Sequence, residues 1–163
     1  MGAKTEFLQI RVDPGEKRLL RRLAQAAGLD LSAYVLTRSL PRAKIQFAQI
    51  VESLGKRSDD RYALAELNDL LARLAPVELA EAVEAADLAR LSPFQANYVA
   101  AMVEQASHAA AIALPEWTKR VPPLEEPWFA TPLVGLRLHL LHAAPVAFKS
   151  RNLFPDSGVG DRV

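Results

Sequence analysis

Thr5-Glu6-Phe7-Leu8-Gln9-Ile10-Arg11-Val12, followed by Asp13-Pro14, is the stretch that decides how this chain is read. Leu8, Ile10 and Val12 alternate with Phe7, Gln9 and Arg11, the period of two that marks a half-buried β-strand. The segments that follow carry helical spacing instead. A lone strand leaves its backbone N–H and C=O groups without partners, so it requires a second strand. The nearest source is the same strand of a second copy, related by a two-fold axis. Such a ribbon buries Leu8, Ile10 and Val12 of both copies as its dimer core, and turns Phe7, Gln9 and Arg11 outward. A two-stranded ribbon fits the DNA major groove, where Arg matches guanine and Gln matches adenine.

Working outward, Asp13-Pro14-Gly15-Glu16 has the chemistry of a helix start: Asp13 as N-cap, Pro14 in the first helical position and Glu16 at the third. The helix it opens runs to about Ala27. Leu19, Leu20, Leu23 and Ala24 form its apolar stripe, and Lys17, Arg18, Arg21 and Arg22 fill the rest. Gly28 ends it as a C′ glycine. A second helix restarts with Asp30 or Ser32 as cap, directs Leu31, Tyr34, Val35, Leu36 and Leu40 inward, and stops before Pro41.

Strand, helix, short turn, helix: over residues 4–40 this order resembles a ribbon-helix-helix DNA-binding domain, in the version carried by bacterial antitoxins of toxin–antitoxin pairs. The residues that carry the resemblance are Phe7 to Val12, the Asp13-Pro14-x-Glu16-Lys17 helix opening, and Gly28-x-x-Leu31-Ser32-x-Tyr34-Val35. The resemblance implies that Phe7, Gln9 and Arg11 are the base-reading positions. It also implies that backbone N–H groups around Leu31 and Ser32 meet a DNA phosphate, as the helix dipole favours. Two positions depart from the family. Phe7 stands where a polar or basic reader is usual, and Asp30 where Ser, Thr or Asn is common.

The rest of the chain reads as a helical body. Helices are expected over Arg42–Leu54, with Ile45, Phe47, Ala48, Ile50, Val51 and Leu54 inward, and over Tyr62–Leu74. Two more follow, from Pro76 to about Ala89 and from Phe94 towards Ile112. Gly55 to Asp60 combines glycine, charge and a cap, and is the boundary candidate. Pro115, Pro122, Pro123, Pro127 and Pro132 then break helical structure around Trp117, Trp128 and Phe129. A stiff segment of this kind either covers the chain's own core or docks into a partner. A last helix is expected over Leu133–Ala144, and a short one begins at Pro145. Residues 62–154 resemble a helical module attached to DNA-binding heads in bacterial proteins, through the Pro127-Trp128-Phe129 turn and the Phe148-x-x-Arg151-Asn152-x-Phe154 ending. That resemblance implies no chemistry.

Charge is unevenly distributed under a net +1. Residues 1–57 carry 11 Lys/Arg against 5 Asp/Glu, and residues 58–92 carry 3 against 8. A basic head before an acidic middle points to two different partners. Glu78, Glu81 and Glu84 recur at three-residue spacing and suit a cationic protein surface. Lys149-Ser150-Arg151-Asn152 reads as a charge set at a helix C-terminus.

Catalytic classes find little support. There is no cysteine, no Gly-rich phosphate loop, no nucleophile elbow and no His-Glu-x-x-His run. His139 and His142 share a helix face, but only His108 remains to join them, so the expectation is no metal, no cofactor and no enzyme. No apolar run reaches the ~18 residues of a membrane span. The opening residues lack a secretory pattern, and a cytoplasmic protein is the inference.

The expected fold is mainly α: a ribbon-helix-helix head over 4–40, a connecting helix over 41–57, an all-α partner-binding domain over 58–155 and a disordered tail over 156–163. The expected function is an antitoxin-like transcriptional regulator. It binds operator DNA as a homodimer or higher even-numbered oligomer, and neutralises a toxin through its helical region. Glu78, Glu81, Glu84, Trp117, Trp128 and Phe129 are the candidate partner contacts. A dimeric interaction or ligand-sensing protein without DNA binding is the alternative, and a His-dependent metal enzyme a weaker one.

Overall fold

The computed structural model describes residues 9–56 and 60–156, so Phe7, Leu8, most of the tail, and residues 57–59 of the boundary candidate lie outside the described residues. The protein is mainly helical, and the chain divides into two compact units, residues 1–40 and 41–163.

In the first unit, α1 (Pro14–Ala26) starts with a complete capping box. Asp13 Oδ1 accepts from the N–H groups of Gly15 and Glu16, and the Glu16 carboxylate accepts from Asp13 N. Gly28 ends the helix with φ +66°, a conformation that favours glycine, and Leu29 N–H closes back on Ala24 O. α2 (Leu31–Ser39) is capped by Asp30, whose Oδ1 accepts from Ala33 N at 2.8 Å. Residues 9–13 carry no hydrogen-bonded secondary structure in the single chain.

The second unit is built on α3 (Arg42–Leu54), α4 (Arg61–Arg73), α5 (Pro76–Val83) and α6 (Pro93–Ala109). Phe47, Leu54, Leu67, Leu79, Val83, Val99 and Val103 form the centre of its core. α3 packs against α4 and α5 and so belongs to the body, where the sequence suggested a connecting helix. Its Phe47, Ile50, Val51 and Leu54 face is buried, although Ile45 and Ala48 of the expected stripe are exposed. At the start of α6, Ser92 and Gln95 form a capping box. Gln95 Nε2 also donates to Leu54 O and Asp60 Oδ2, tying the end of α3 to the start of α4.

α5 stops at Val83, short of the expected Ala89. The reason is tertiary. The Trp117 indole N–H donates to Val83 O at 2.8 Å, occupying a carbonyl that a continuing helix would use, and Leu88 and Leu91 pack on the core. The expected 133–144 helix is likewise a 3-10 turn (Val134–Leu136) leading into α7 (Arg137–Ala143), and α8 is Val146–Lys149. Two short strands, β1 (Trp128–Phe129) and β2 (Leu153–Phe154), pair in parallel; neither was expected from sequence.

Arg151 is the side chain that fastens this C-terminal region. It is buried, contrary to the surface charge set expected from sequence. Its Nε and Nη2 donate to Glu104 of α6 at 3.2 and 2.5 Å, its Nη1 to Asn97 Oδ1 and Val121 O, and its Nη2 also to Thr118 O. All five guanidinium N–H groups are thereby used. Asn97 in turn donates to Pro93 O and Pro122 O. Asn152, at φ +57°, donates from Nδ2 to Leu124 O, and its carbonyl accepts from Trp128 N. The proline-rich segment is thus a strap held over α6.

Tyr98 of α6 lies under that strap, edge-on to Phe148 and Trp128 with ring centroids 5.3 and 6.2 Å away. Burial pushes its hydroxyl up to about 12. In the unfolded chain the same group titrates near 10. The unfolded chain therefore loses the proton first, so stability is intact below pH 10 and declines as pH rises through 10 to 12. The expected decline is about 2–3 kcal/mol. Chemical denaturation across this window should show that contribution absent in Tyr98→Phe, which keeps the ring.

Candidate functional site

Two surfaces qualify, one in each unit. In the first, Gln9, Ile10, Arg11 and Val12 run along an open groove of about 900 Å³, whose other walls include Leu20, Leu31, Tyr34 and Val35. Lys17, Arg38 and Ser39 stand at its edge. The groove is apolar in its floor, and the unit leaves much apolar surface in water: Ile10 is 57% exposed, Leu19 49%, Leu40 46%, and Val12 and Leu23 42% each. Leu19, Leu23 and Leu40 were expected inside. Among the groups of that stripe and of α2, Ala24 and Tyr34 are the buried ones. An apolar stripe exposed in one chain is what a missing neighbour leaves behind.

Around this apolar surface the charge is positive. Lys17, Arg18, Arg21 and Arg22 of α1 are all exposed, and Arg11 and Gln9 are exposed beside them in sequence order. The Arg38 guanidinium lies 5.7 Å from the Tyr34 ring centre. At the start of α2, Leu31 and Ser32 hold the first-turn positions assigned to phosphate. There the Asp30 carboxylate already accepts from Ala33 N, and its negative charge opposes a phosphate at the same helix end.

In the second unit the candidate partner contacts separate into two groups. Glu78, Glu81 and Glu84 are exposed on α5. Lys44 Nζ sits 2.7 Å from Glu84 and holds its carboxyl below the usual range through hydrogen bonding and charge. The aromatic group turns to the chain's own interior. Trp117 is buried, Trp128 packs against Phe94 at 5.0 Å, and Phe129 stacks on Phe154 at 4.9 Å. These three rings cover this protein's core and do not present themselves as a free surface.

His139 and His142 are exposed on α7. Among the described residues no three His, Cys, Asp or Glu side chains converge in a way that holds a metal ion. Among them too, no helix is long and apolar enough to cross a membrane.

The exposed outer side of the 3-10 turn and α7 was not anticipated. Leu133, Val134, Leu136, Leu138 and Leu141 are between 41% and 72% exposed, and Val146 79%. The leucines of 133–144 suggest an inward face, yet Leu140 is the one that is buried. The available signal was that this segment is apolar on every side of its helix, which a single packed face does not require. Comparison of the chain with protein families, with curated proteins and with solved structures finds no match.

Proposed function

We propose that this protein is an antitoxin-like transcriptional regulator. Its first 40 residues pair with those of a second copy as a ribbon-helix-helix head that binds operator DNA. Its helical body binds and neutralises a protein toxin. The observation that carries the reading is the apolar surface of Ile10, Val12, Leu19, Leu23 and Leu40, left in water by a unit whose exposed α1 side chains are basic. Pairing of residues 5–12 across a two-fold axis buries the first two and satisfies the strand backbone. Gln9 and Arg11 then stand on the opposite face, two copies of each, where a major groove receives them.

Light scattering at micromolar concentration tests the assembly: a dimer or a larger even-numbered oligomer is expected, and a strict monomer removes the basis of the reading. Retardation of DNA from the protein's own promoter tests the head, with binding that falls steeply as salt rises. Co-expression with the protein encoded beside it tests the body. Co-purification together with relief of that protein's toxicity is expected.

One observation favours a second reading, a dimeric interaction or ligand-sensing protein that does not bind DNA. Asp30 places a carboxylate at the α2 N-terminus, where the first reading puts a phosphate. A dimer that fails to shift promoter DNA at low salt selects that alternative.

A further inference from the structure

We infer that the outer face of the Val134–Leu136 turn and α7 is the surface on which the body holds its protein partner. The contacting element of that partner is apolar and edged by carboxylates. This rests on the partner-binding reading above and names the place and chemistry of the contact.

Val134, Leu138 and Leu141 fall at i, i+4 and i+7, so they form one stripe along a nearly continuous helical segment. Leu133, Leu136 and Val146 widen it. At their exposures of 41% to 79%, these six side chains leave on the order of 500 Å² of apolar surface in water, a size at which such patches mark interaction sites. The opposite side of α7 accounts for its place in the fold. Leu140 packs with Ala144, Phe154 and Phe129, and the Arg137 guanidinium lies 4.9 Å from the Phe129 ring centre. The outward stripe takes no part in that cluster, so folding does not explain its composition.

The charge of the segment identifies the occupant. From residue 127 to 155 there is no Asp or Glu, whereas Arg137, His139, His142 and Lys149 occur there. Arg137, His139 and His142 are exposed, and Lys149 Nζ is held by His142 O at 2.9 Å beside them. A second copy laid on the same stripe sets like charges edge to edge. A partner whose apolar ridge is flanked by Asp or Glu sets opposite ones. The acidic α5 contributes at most to the rate of encounter, since exposed charges away from an apolar contact act mainly on association.

The test uses the full chain co-expressed with the protein encoded beside it, compared with Leu138→Asp/Leu141→Asp and with Glu78→Lys/Glu81→Lys/Glu84→Lys. The α7 variant is expected to keep its helix content and its head-dependent dimer, and to lose the partner by at least ~100-fold in affinity, as for two central anchor residues. The α5 variant is expected to keep the partner and to bind it more slowly. Retention of the partner by the α7 variant overturns the inference and leaves the antitoxin reading standing. Failure of the wild-type chain to bind that protein overturns both. If the α7 substitutions abolish instead a self-association, or sedimentation with phosphatidylglycerol vesicles, while the partner stays bound, the face belongs to a second copy or a lipid surface and the inference fails.

Discussion

Arg151→Ala is expected to destabilise the helical body by about 3–5 kcal/mol, the cost of removing one member of a buried ion pair. The Arg151 and Glu104 side chains are 6% and 12% exposed, and 47 residues separate them. Removing the guanidinium leaves the Glu104 carboxylate without its cation. Asn97 Oδ1, Thr118 O and Val121 O lose a donor at the same time. Arg151→Lys should recover little, because an ammonium has three donors on a point and cannot reproduce a planar five-donor fork. Lys119→Ala is the control. Its ion pair with Glu116 is exposed on both sides, and such pairs contribute little. Urea denaturation followed by circular dichroism reads all three. A loss below about 1 kcal/mol for Arg151→Ala would show that the strap is held by apolar packing alone.

Arg11→Ala is expected to weaken binding to promoter DNA roughly 5- to 150-fold, equivalent to the loss of about 1–3 kcal/mol for one good bidentate base contact per copy. The effect follows from the proposed ribbon, in which Arg11 points away from Ile10 and Val12. Substituting a base reader also relaxes sequence preference. Substituting an exposed cation of α1, such as Arg18, weakens binding to all sequences alike and flattens the salt dependence. Titrations against promoter and scrambled DNA at two salt concentrations separate these outcomes. Equal weakening on both DNAs by Arg11→Ala would reassign Arg11 from base reading to phosphate contact. No weakening on either would remove the ribbon face from the interface.

Helix starts were the most legible feature of this chain, because their causes lie within four residues. Asp13 with Glu16, Ser92 with Gln95, and Pro14, Pro76 and Pro93 in first helical positions all act locally, and each stands where its spacing indicates. The inward stripe of α6, with Tyr98, Val99, Met102 and Val103 buried, follows from period alone. Periodicity was less informative for the head. Leu19 and Leu23 have the spacing of core residues but are exposed in one chain, since spacing shows which residues share a face and not which molecule covers it.

By itself, then, the sequence determined the helical class, the capped starts of α1 and α6, the left-handed Gly28 and the separation of basic from acidic segments. All of these are set by neighbours in the chain. Tertiary structure decided the rest. It ended α5 at Val83 through Trp117, paired Trp128–Phe129 with Leu153–Phe154, and drew Arg151 inside to meet Glu104. It also left Val134, Leu138 and Leu141 facing water while burying Leu140. Each of these joins or separates residues according to contacts made across the fold, or left unmade at its surface, and no periodicity or cap within one segment encodes them.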